Sequence, residues 1–312
     1  MYNIIQEIFN NYQIRKSYND KSKFIEYLET IFNKLEIKFN IDNHGKIIKS
    51  RNITVGDISD ADIILTAHYD TCAVLPFPNF ITPKNIFIYI LYSLFLAFLM
   101  VVTASACAFI SNLLFHKAFI SRFVYMFVVF LDIYLLIFGK SNKHTANDNT
   151  SGVITLLSIM HGIKTEDRNK VAFVFFDNEE VGLVGSSAFK KKYKGLDDKL
   201  IINFDCVSDG DNIMFVCSKK AKFDKIFEVL KENLNIEKEH YKKKVLIEST
   251  KNTFYPSDQM LFKKSIGVAA LKKKRIIGYY MDKIHTNKDI VFDKKNIDFI
   301  SKVLINVIES KK

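Results

Sequence analysis

Cysteine is scarce in this 312-residue chain, and its four copies are unpatterned: Cys72, Cys107, Cys206 and Cys217 form no CxxC pair and no framework of regular spacings. A small disulfide-stapled scaffold is thereby excluded, and reduced thiols of the kind kept in a cytoplasm are expected. The first residues, Met1-Tyr2-Asn3-Ile4-Ile5-Gln6-Glu7, also lack a basic segment running into an apolar core, so no secretory signal peptide is expected. Internal repeats and low-complexity linkers are missing as well. The formal net charge of +11 comes without any aromatic-basic motif for RNA. Its lysines are scattered and often stand near acidic residues, as on ordinary solvated helix faces. Nucleic acid is therefore not an expected partner. Attraction to an anionic membrane surface suits the charge better once the apolar segments are considered.

Apolar sequence is concentrated in one place. The overall hydrophobic share of 48% is ordinary for a globular protein. From Ile86 to Phe115, however, 30 residues pass without one Asp, Glu, Lys or Arg, and about 20 apolar residues suffice to cross a bilayer core. A second apolar segment, 118–139, is broken only by Arg122 and Asp132, and the turn Phe115-His116-Lys117 separates the two. Residues 86–139 read as a transmembrane hairpin inserted into a soluble domain, with both junctions on one membrane side. A buried hairpin serving as a lid or dimer contact is the alternative, but it does not need so long an uncharged run. Lys84, Lys140 and Lys143 at the junctions face Lys117 and Arg122 at the turn, so the positive-inside bias is nearly balanced. The polar, lysine-rich residues ahead of the first span, with no signal peptide, lead to the expectation of a cell-membrane protein whose soluble domain is cytoplasmic. Asp132 is costly inside a span, and a hydroxyl on the partner helix, Thr103 or Ser105, is its expected hydrogen-bond partner.

The remainder, 1–85 and 140–312, reads as one discontinuous α/β domain. Residues 20–35 carry Phe24, Leu28, Ile31, Phe32 and Leu35 at helical spacing, with Asp20 as the expected N-cap. Strand-like runs at 47–53 and 63–66 follow, the second leading into Ala67-His68-Tyr69-Asp70. Further strands are expected at Val171–Phe176, Leu200–Phe204 and 268–271, and helices at 152–161, 221–234 and 294–310. This alternation predicts a mixed, mostly parallel sheet flanked by helices in three layers, αβα.

Five short stretches each bring a carboxylate or imidazole to a strand end or loop: His68-Tyr69-Asp70, Asn147-Asp148-Asn149-Thr150-Ser151-Gly152, Asp177-Asn178-Glu179-Glu180-Val181-Gly182-Leu183, Asn203-Phe204-Asp205 and His285-Thr286. Singly each is a weak signal, since a lone His or Asp at a strand end is usually a cap or a solvated side chain. The Glu179-Glu180 pair is the sharpest, because it follows a continuous apolar strand and so falls at the carboxyl edge of the sheet, where open α/β folds place their sites.

In that order the stretches read HxD, NDNxSG, DxEExGLxGS, NFD and HT, and the chain resembles the co-catalytic zinc aminopeptidases of the M28 family, of the aminopeptidase Y and aminopeptidase S type. The resemblance runs from about residue 60 to 290 apart from the hairpin. It implies two zinc ions bridged by Asp148, with His68 and Asp205 completing one site and Glu180 and His285 the other. Glu179 would be the general base, and Asp70 the carboxylate that orients the His68 ring. Ser257-Asp258-Gln259 resembles the family's SDH stretch with Gln in place of His, and His285-Thr286-Asn287-Lys288-Asp289-Ile290 departs from HTPxDT at two positions, which puts substrate contacts in doubt more than metal binding.

The chemistry agrees with that assignment. One imidazole, one carboxylate and a shared carboxylate give each zinc three protein ligands and room for water. The same donors accept Co²⁺ or Mn²⁺. The implied activity is hydrolysis of N-terminal residues from peptides near the membrane. Glutaminyl cyclases resemble the same scaffold but use a single zinc, so His68 and Asp205 favour the two-metal hydrolase. Carboxypeptidase or dipeptidase action and an inactive, membrane-anchored peptide-binding scaffold are the alternatives. Tyr279 and Tyr280 are candidates for lining a specificity pocket or, alternatively, an aromatic pair on a β-strand.

Overall fold

Runs buried at every position, Ile63–His68, Val171–Phe176, Leu200–Phe204 and Asn212–Cys217, can sit only where both sheet faces are covered, and they form the middle of this molecule. The computed structural model describes residues 1–45 and 48–310. Helices α1 (Tyr2–Asn11) and α2 (Tyr18–Lys34) precede strands β1 (Phe39–His44), β2 (Ser50–Val55) and β3 (Ile63–His68). The apolar hairpin follows as α3 (Ile86–Phe115) and α4 (Ala118–Phe138). Then come α5 (Gly152–Gly162), β4 (Val171–Phe176), α6 (Val184–Lys192), β5 (Leu200–Phe204) and β6 (Asn212–Cys217). The chain ends with α7 (Lys219–Lys222), α8 (Lys225–Tyr241), β7 (Lys244–Ser249), β8 (Ser265–Lys274), β9 (Gly278–Tyr280) and α9 (Lys294–Glu309).

The strands form a mixed sheet in the order β1-β2-β4-β3-β5-β8-β6-β7, with β9 paired to β8. Its centre, β4-β3-β5-β8, is parallel. Antiparallel pairings of β1 and β2 close one side, and β6 runs antiparallel to β8 on the other. Successive side chains of β3 point to opposite faces. Ile63, Leu65 and Ala67 join the larger core with Phe24, Leu28 and Phe32 of α2 and the apolar faces of α5, α8 and α9. Ile64 joins the other layer with Phe189 of α6 and Phe262. Burying one such side chain contributes about 1.5–3 kcal/mol, so the alternation fixes the strand register. In that register His68 lies opposite Phe176. The residues just past β3, β4 and β5 therefore emerge at one sheet edge.

Helix α2 begins at Ser17, not Asp20. The Ser17 hydroxyl accepts the Asp20 N–H at 3.1 Å and the Asp20 carboxylate accepts the Ser17 N–H at 3.1 Å, a reciprocal capping box that places Asp20 inside the first turn. Of the strand expected at 47–53, Ile47 lies outside the described residues and the strand runs from Ser50 to Val55. The helix expected at 221–234 divides, because Asp224 accepts the Ile226 N–H and starts α8 afresh. All four cysteines are free.

Helices α3 and α4 lie side by side. Ala104 and Ser111 of α3 are buried, while Leu94, Phe98, Phe109, Phe119, Phe130 and their neighbours remain exposed. A helix that is apolar all round is not a surface helix of a water-soluble domain, and both are long and apolar enough to cross a membrane by length and composition. At about 1.5 Å per residue they extend roughly 45 and 32 Å. The Thr103 hydroxyl donates to Asp132 at 3.4 Å, the interhelical bond expected from sequence. At the base, Tyr92 donates to the Pro78 carbonyl at 2.8 Å, and the Lys16 amine reaches the Ile137 carbonyl at 2.5 Å.

Candidate metal centre

All five residues read as ligands meet at the carboxyl edge of the parallel strands. His68 ends β3, Asp205 follows β5, and Glu179 and Glu180 follow β4. Asp148 sits before α5, and His285 comes from the loop after β9. The Nε2 of His68 lies 3.3 Å from Asp148 Oδ1 and 3.6 Å from Asp205 Oδ1. The Nε2 of His285 lies 3.2 Å from Asp148 Oδ2 and 3.1 Å from Glu180 Oε2. Asp148 thus turns one carboxylate oxygen to each imidazole. The cleft they line holds about 310 Å³ and is bordered by Asn79, Ile81, Leu183, Tyr255 and Ile284.

Two further carboxylates hold this arrangement by the backbone. Asp70 accepts the N–H groups of Glu179 and Glu180 at 3.0 and 3.2 Å. Asp289 accepts those of Asn147 and Asp148, both at 2.9 Å. The sequence reading gave Asp70 the task of orienting the His68 ring. Its carboxylate lies 3.6 Å from Nδ1, while its backbone carbonyl is nearer, at 3.1 Å. Asp70 therefore links the His68 ring to the glutamate turn. Asn149 ties the strand ends together: its amide donates to the Phe204 carbonyl at 2.9 Å, and its oxygen accepts the N–H of Gly152 and of Cys206. A Cβ on Gly152 would come within 2.4 Å of the Phe204 carbonyl oxygen, so this close approach requires glycine. Below the turn, the Lys21 amine bonds Asp177 at 2.6 Å and Asn178 at 2.7 Å with both acidic and basic partners buried.

The electrostatics are those of a site built around positive charge. Burial works against a charged His68, but Glu179, Asp148, Asp205 and Asp70 outweigh it and raise its pKa well above the ordinary value. For His285, burial is likewise outweighed by Glu180 and Asp148. Burial pushes the Glu179 carboxyl well up; His68 opposes this, while Asp258, Glu180 and Asp205 add to it. Burial also acts to raise the Asp70 carboxyl, yet His68, Lys21 and the Glu179 N–H prevail and hold it below the usual range.

The residues fit divalent cations on two counts. Donors about 2.0–2.1 Å from a tetrahedral zinc stand roughly 3.3 Å apart, and the separations between imidazole and carboxylate are 3.1–3.6 Å. Glu180 Oε1 and Asp205 Oδ1 are buried without a hydrogen-bond partner, a costly state for a carboxylate that a cation would relieve. His68, Asp148 and Asp205 form one cluster with ligand-like spacing.

Other expectations are redrawn. Ser257, Asp258 and Gln259 do not line the cleft. They lie beneath it, where Asn203 of β5 donates to Ser257 and Gln259 at 3.0 Å each. Tyr279 and Tyr280 belong to β9, paired with Lys272 and Lys273 of β8, and Tyr280 packs on Phe80 rather than entering the cleft. Tyr255 borders the cleft instead, with its hydroxyl on the Asp205 carbonyl at 2.9 Å. No periodicity marked Tyr255, and only a prolyl neighbour hinted at a turn there.

The model of peptidase family M28 matches residues 131–308. The chain belongs to peptidase family M28. The match includes Asp148, Glu179, Glu180, Asp205 and His285 of this M28 protein, and strand β3 brings His68 and Asp70 to them from ahead of the matched residues. Among solved structures the fold is similar to a glutaminyl cyclase of Porphyromonas gingivalis (15% identity, TM-score 0.63, covering 100% of this chain and 97% of that one). It is also similar to a leucine aminopeptidase precursor of Bacteroides thetaiotaomicron (16%, 0.58, 100% and 94%). A Zn-dependent exopeptidase of Parabacteroides distasonis is alike in the same degree (14%, 0.58, 98% and 94%). At these identities the likeness is one of fold. Comparison with curated proteins gives no match.

Proposed function

We propose that this M28 protein is a two-zinc exopeptidase of the aminopeptidase type, acting on peptides beside a membrane crossed by α3 and α4. The observation that carries the reading is Asp148, which offers one oxygen to His68 and the other to His285. His68 and Asp205 would hold one zinc and Glu180 and His285 the other, with Asp148 shared. When bound, such a pair of ions polarises a scissile carbonyl and acidifies water. Glu179 borders the cleft without being needed as a ligand, and Asp70 fixes its backbone. Its carboxylate accepts the proton of the attacking water and returns it to the leaving amine, a transfer typically contributing 10²–10⁴-fold. Ile81, Leu183 and Ile284 give the cleft apolar walls that exclude water from the substrate.

Glutaminyl cyclases among the similar structures support a second reading, cyclisation of an N-terminal glutamine on the same scaffold. A single-metal cyclase leaves His68 and Asp205 without a task, whereas here both cluster with Asp148. The membrane reading rests on the uncharged length of α3 and on exposed apolar side chains around both helices.

Purified full-length protein, with and without Zn²⁺, assayed on aminoacyl-nitroanilides, on N-blocked peptides and on a glutaminyl peptide, separates the activities. Glu179→Gln is expected to keep its zinc and lose turnover by at least ~10²-fold. Wild type and Glu179→Gln equally inert while zinc-loaded would indicate a peptide-binding scaffold instead. Recovery of the full-length protein in the soluble fraction without detergent would remove the membrane reading.

A further inference from the structure

The geometry points to Cys72 as a sulfur ligand for the metal set formed by Glu180 and His285, which makes the two metal positions of this chain chemically unequal. The inference rests on the two-metal reading above. Cys72 lies just past β3, two residues after Asp70, and the turn that aims it inward is fixed by Arg15. The Arg15 N–H donates to the Thr71 hydroxyl at 3.0 Å, and the Thr71 N–H donates to the Arg15 carbonyl at 3.2 Å. Three residues on, the Leu75 N–H holds the His285 carbonyl at 2.8 Å, so the strap carrying the thiol is bonded to the loop carrying the imidazole.

The Cys72 sulfur, a ring nitrogen of His285 and a carboxylate oxygen of Glu180 all lie within 4.8 Å of one another. A second, independent observation comes from Glu180. Its side chain is only 8% exposed, Oε2 faces His285 at 3.1 Å, and Oε1 has no hydrogen-bond partner. The thiol itself, 2% exposed, has just a long contact with the Asn142 amide at 3.8 Å. A buried cysteine usually serves as a small hydrophobe, but this one faces an imidazole and a carboxylate. Zinc–sulfur bonds of about 2.3 Å and zinc–nitrogen bonds of about 2.0–2.1 Å put S and N roughly 3.6 Å apart, a spacing within reach of a side-chain rotation.

Cys72 would thus add a fourth protein donor to the set of Glu180, His285 and the shared Asp148. The set of His68, Asp148 and Asp205 keeps three, with an open position for water and substrate. Ligation releases the thiol proton to solvent. The soft sulfur donor selects zinc at the Cys72 side, while carboxylates leave the other side more tolerant. The Cys72 position is therefore the one that holds its metal when the other exchanges.

The test is stepwise Co²⁺ loading of the full-length protein, followed in the near ultraviolet where a sulfur-to-cobalt charge-transfer band appears, with metal content read on the same samples. Wild type should show the band, Cys72→Ser and Cys72→Ala should lose it while remaining folded by circular dichroism, and Cys206→Ser should keep it. Bound cobalt without the band in wild type overturns this inference alone, as does a band that survives Cys72→Ser. A wild type that binds no cobalt overturns the two-metal reading along with it.

Discussion

Replacing Asp70 with Asn removes one unit of charge and almost no volume, and it leaves every residue read as a ligand unsubstituted. The carboxylate now accepts two consecutive N–H groups, from Glu179 at 3.0 Å and Glu180 at 3.2 Å, from a position only 3% exposed. Asparagine keeps one acceptor oxygen and turns a donor toward the other N–H. One charge-assisted hydrogen bond is lost and one buried N–H is left unpaired, a cost of about 1.5–3 kcal/mol. If that cost falls on the metal-loaded geometry, zinc affinity drops about 10- to 150-fold, at 1.4 kcal/mol per tenfold. Loss of such supporting partners in metal sites ordinarily costs about 10–100-fold, so the two routes to the magnitude agree. Competition with a chromophoric chelator on the full-length protein measures it, with the exposed Asp60→Asn as the control. An Asp70→Asn protein with zinc affinity within about twofold of wild type and an unchanged melting temperature would refute the claim that this carboxylate holds the glutamate turn.

Three other outcomes are expected. Lys21→Met leaves Asp177 buried and uncompensated, and should destabilise the fold by about 3–5 kcal/mol in denaturant unfolding, as for other broken buried pairs. Chelator treatment should lower the melting temperature and zinc should restore it, by about 4 kcal/mol at a free concentration 1,000 times the dissociation constant; a melting temperature indifferent to zinc would contradict the site. Gly152→Ala drives a methyl group into the Phe204 carbonyl and Asn149, and should cost both zinc content and soluble yield, whereas Gly195→Ala, which meets no neighbour but strains a backbone at φ +75°, should leave zinc content unchanged even where it lowers yield.

The ligand residues were legible because each follows a short apolar strand or lies in a compact polar motif, and a parallel sheet brings such strand ends to one edge without further instruction. The hairpin was legible for the opposite reason, a first helix with no charge in it and a second with only two. Edge strands were not. Strands β1 (FNIDNH) and β7 (KVLIES) are half polar or more and gain their strand character only from neighbours already in place. The two clamps were half visible. Asp70 was noticed as a partner of His68, but its hold on two N–H groups over 100 residues away follows from β3 and β4 pairing, not from local sequence. Cys72 looked like one more spare thiol, and its place beside His285 depends on a strap whose path no periodicity encodes.

The hairpin stands in the chain between His68 and the other four residues of the centre. During synthesis, β3 and its histidine emerge first, then both long apolar helices, and only afterwards Asp148, Glu180, Asp205 and His285. The cluster therefore cannot close until the hairpin has left the ribosome, so the apolar helices are exposed to their surroundings before the chemistry is assembled. On the reading that α3 and α4 cross a membrane, a chain whose hairpin is misplaced is expected to show a lower metal content, because His68 and the other four residues flank it in sequence.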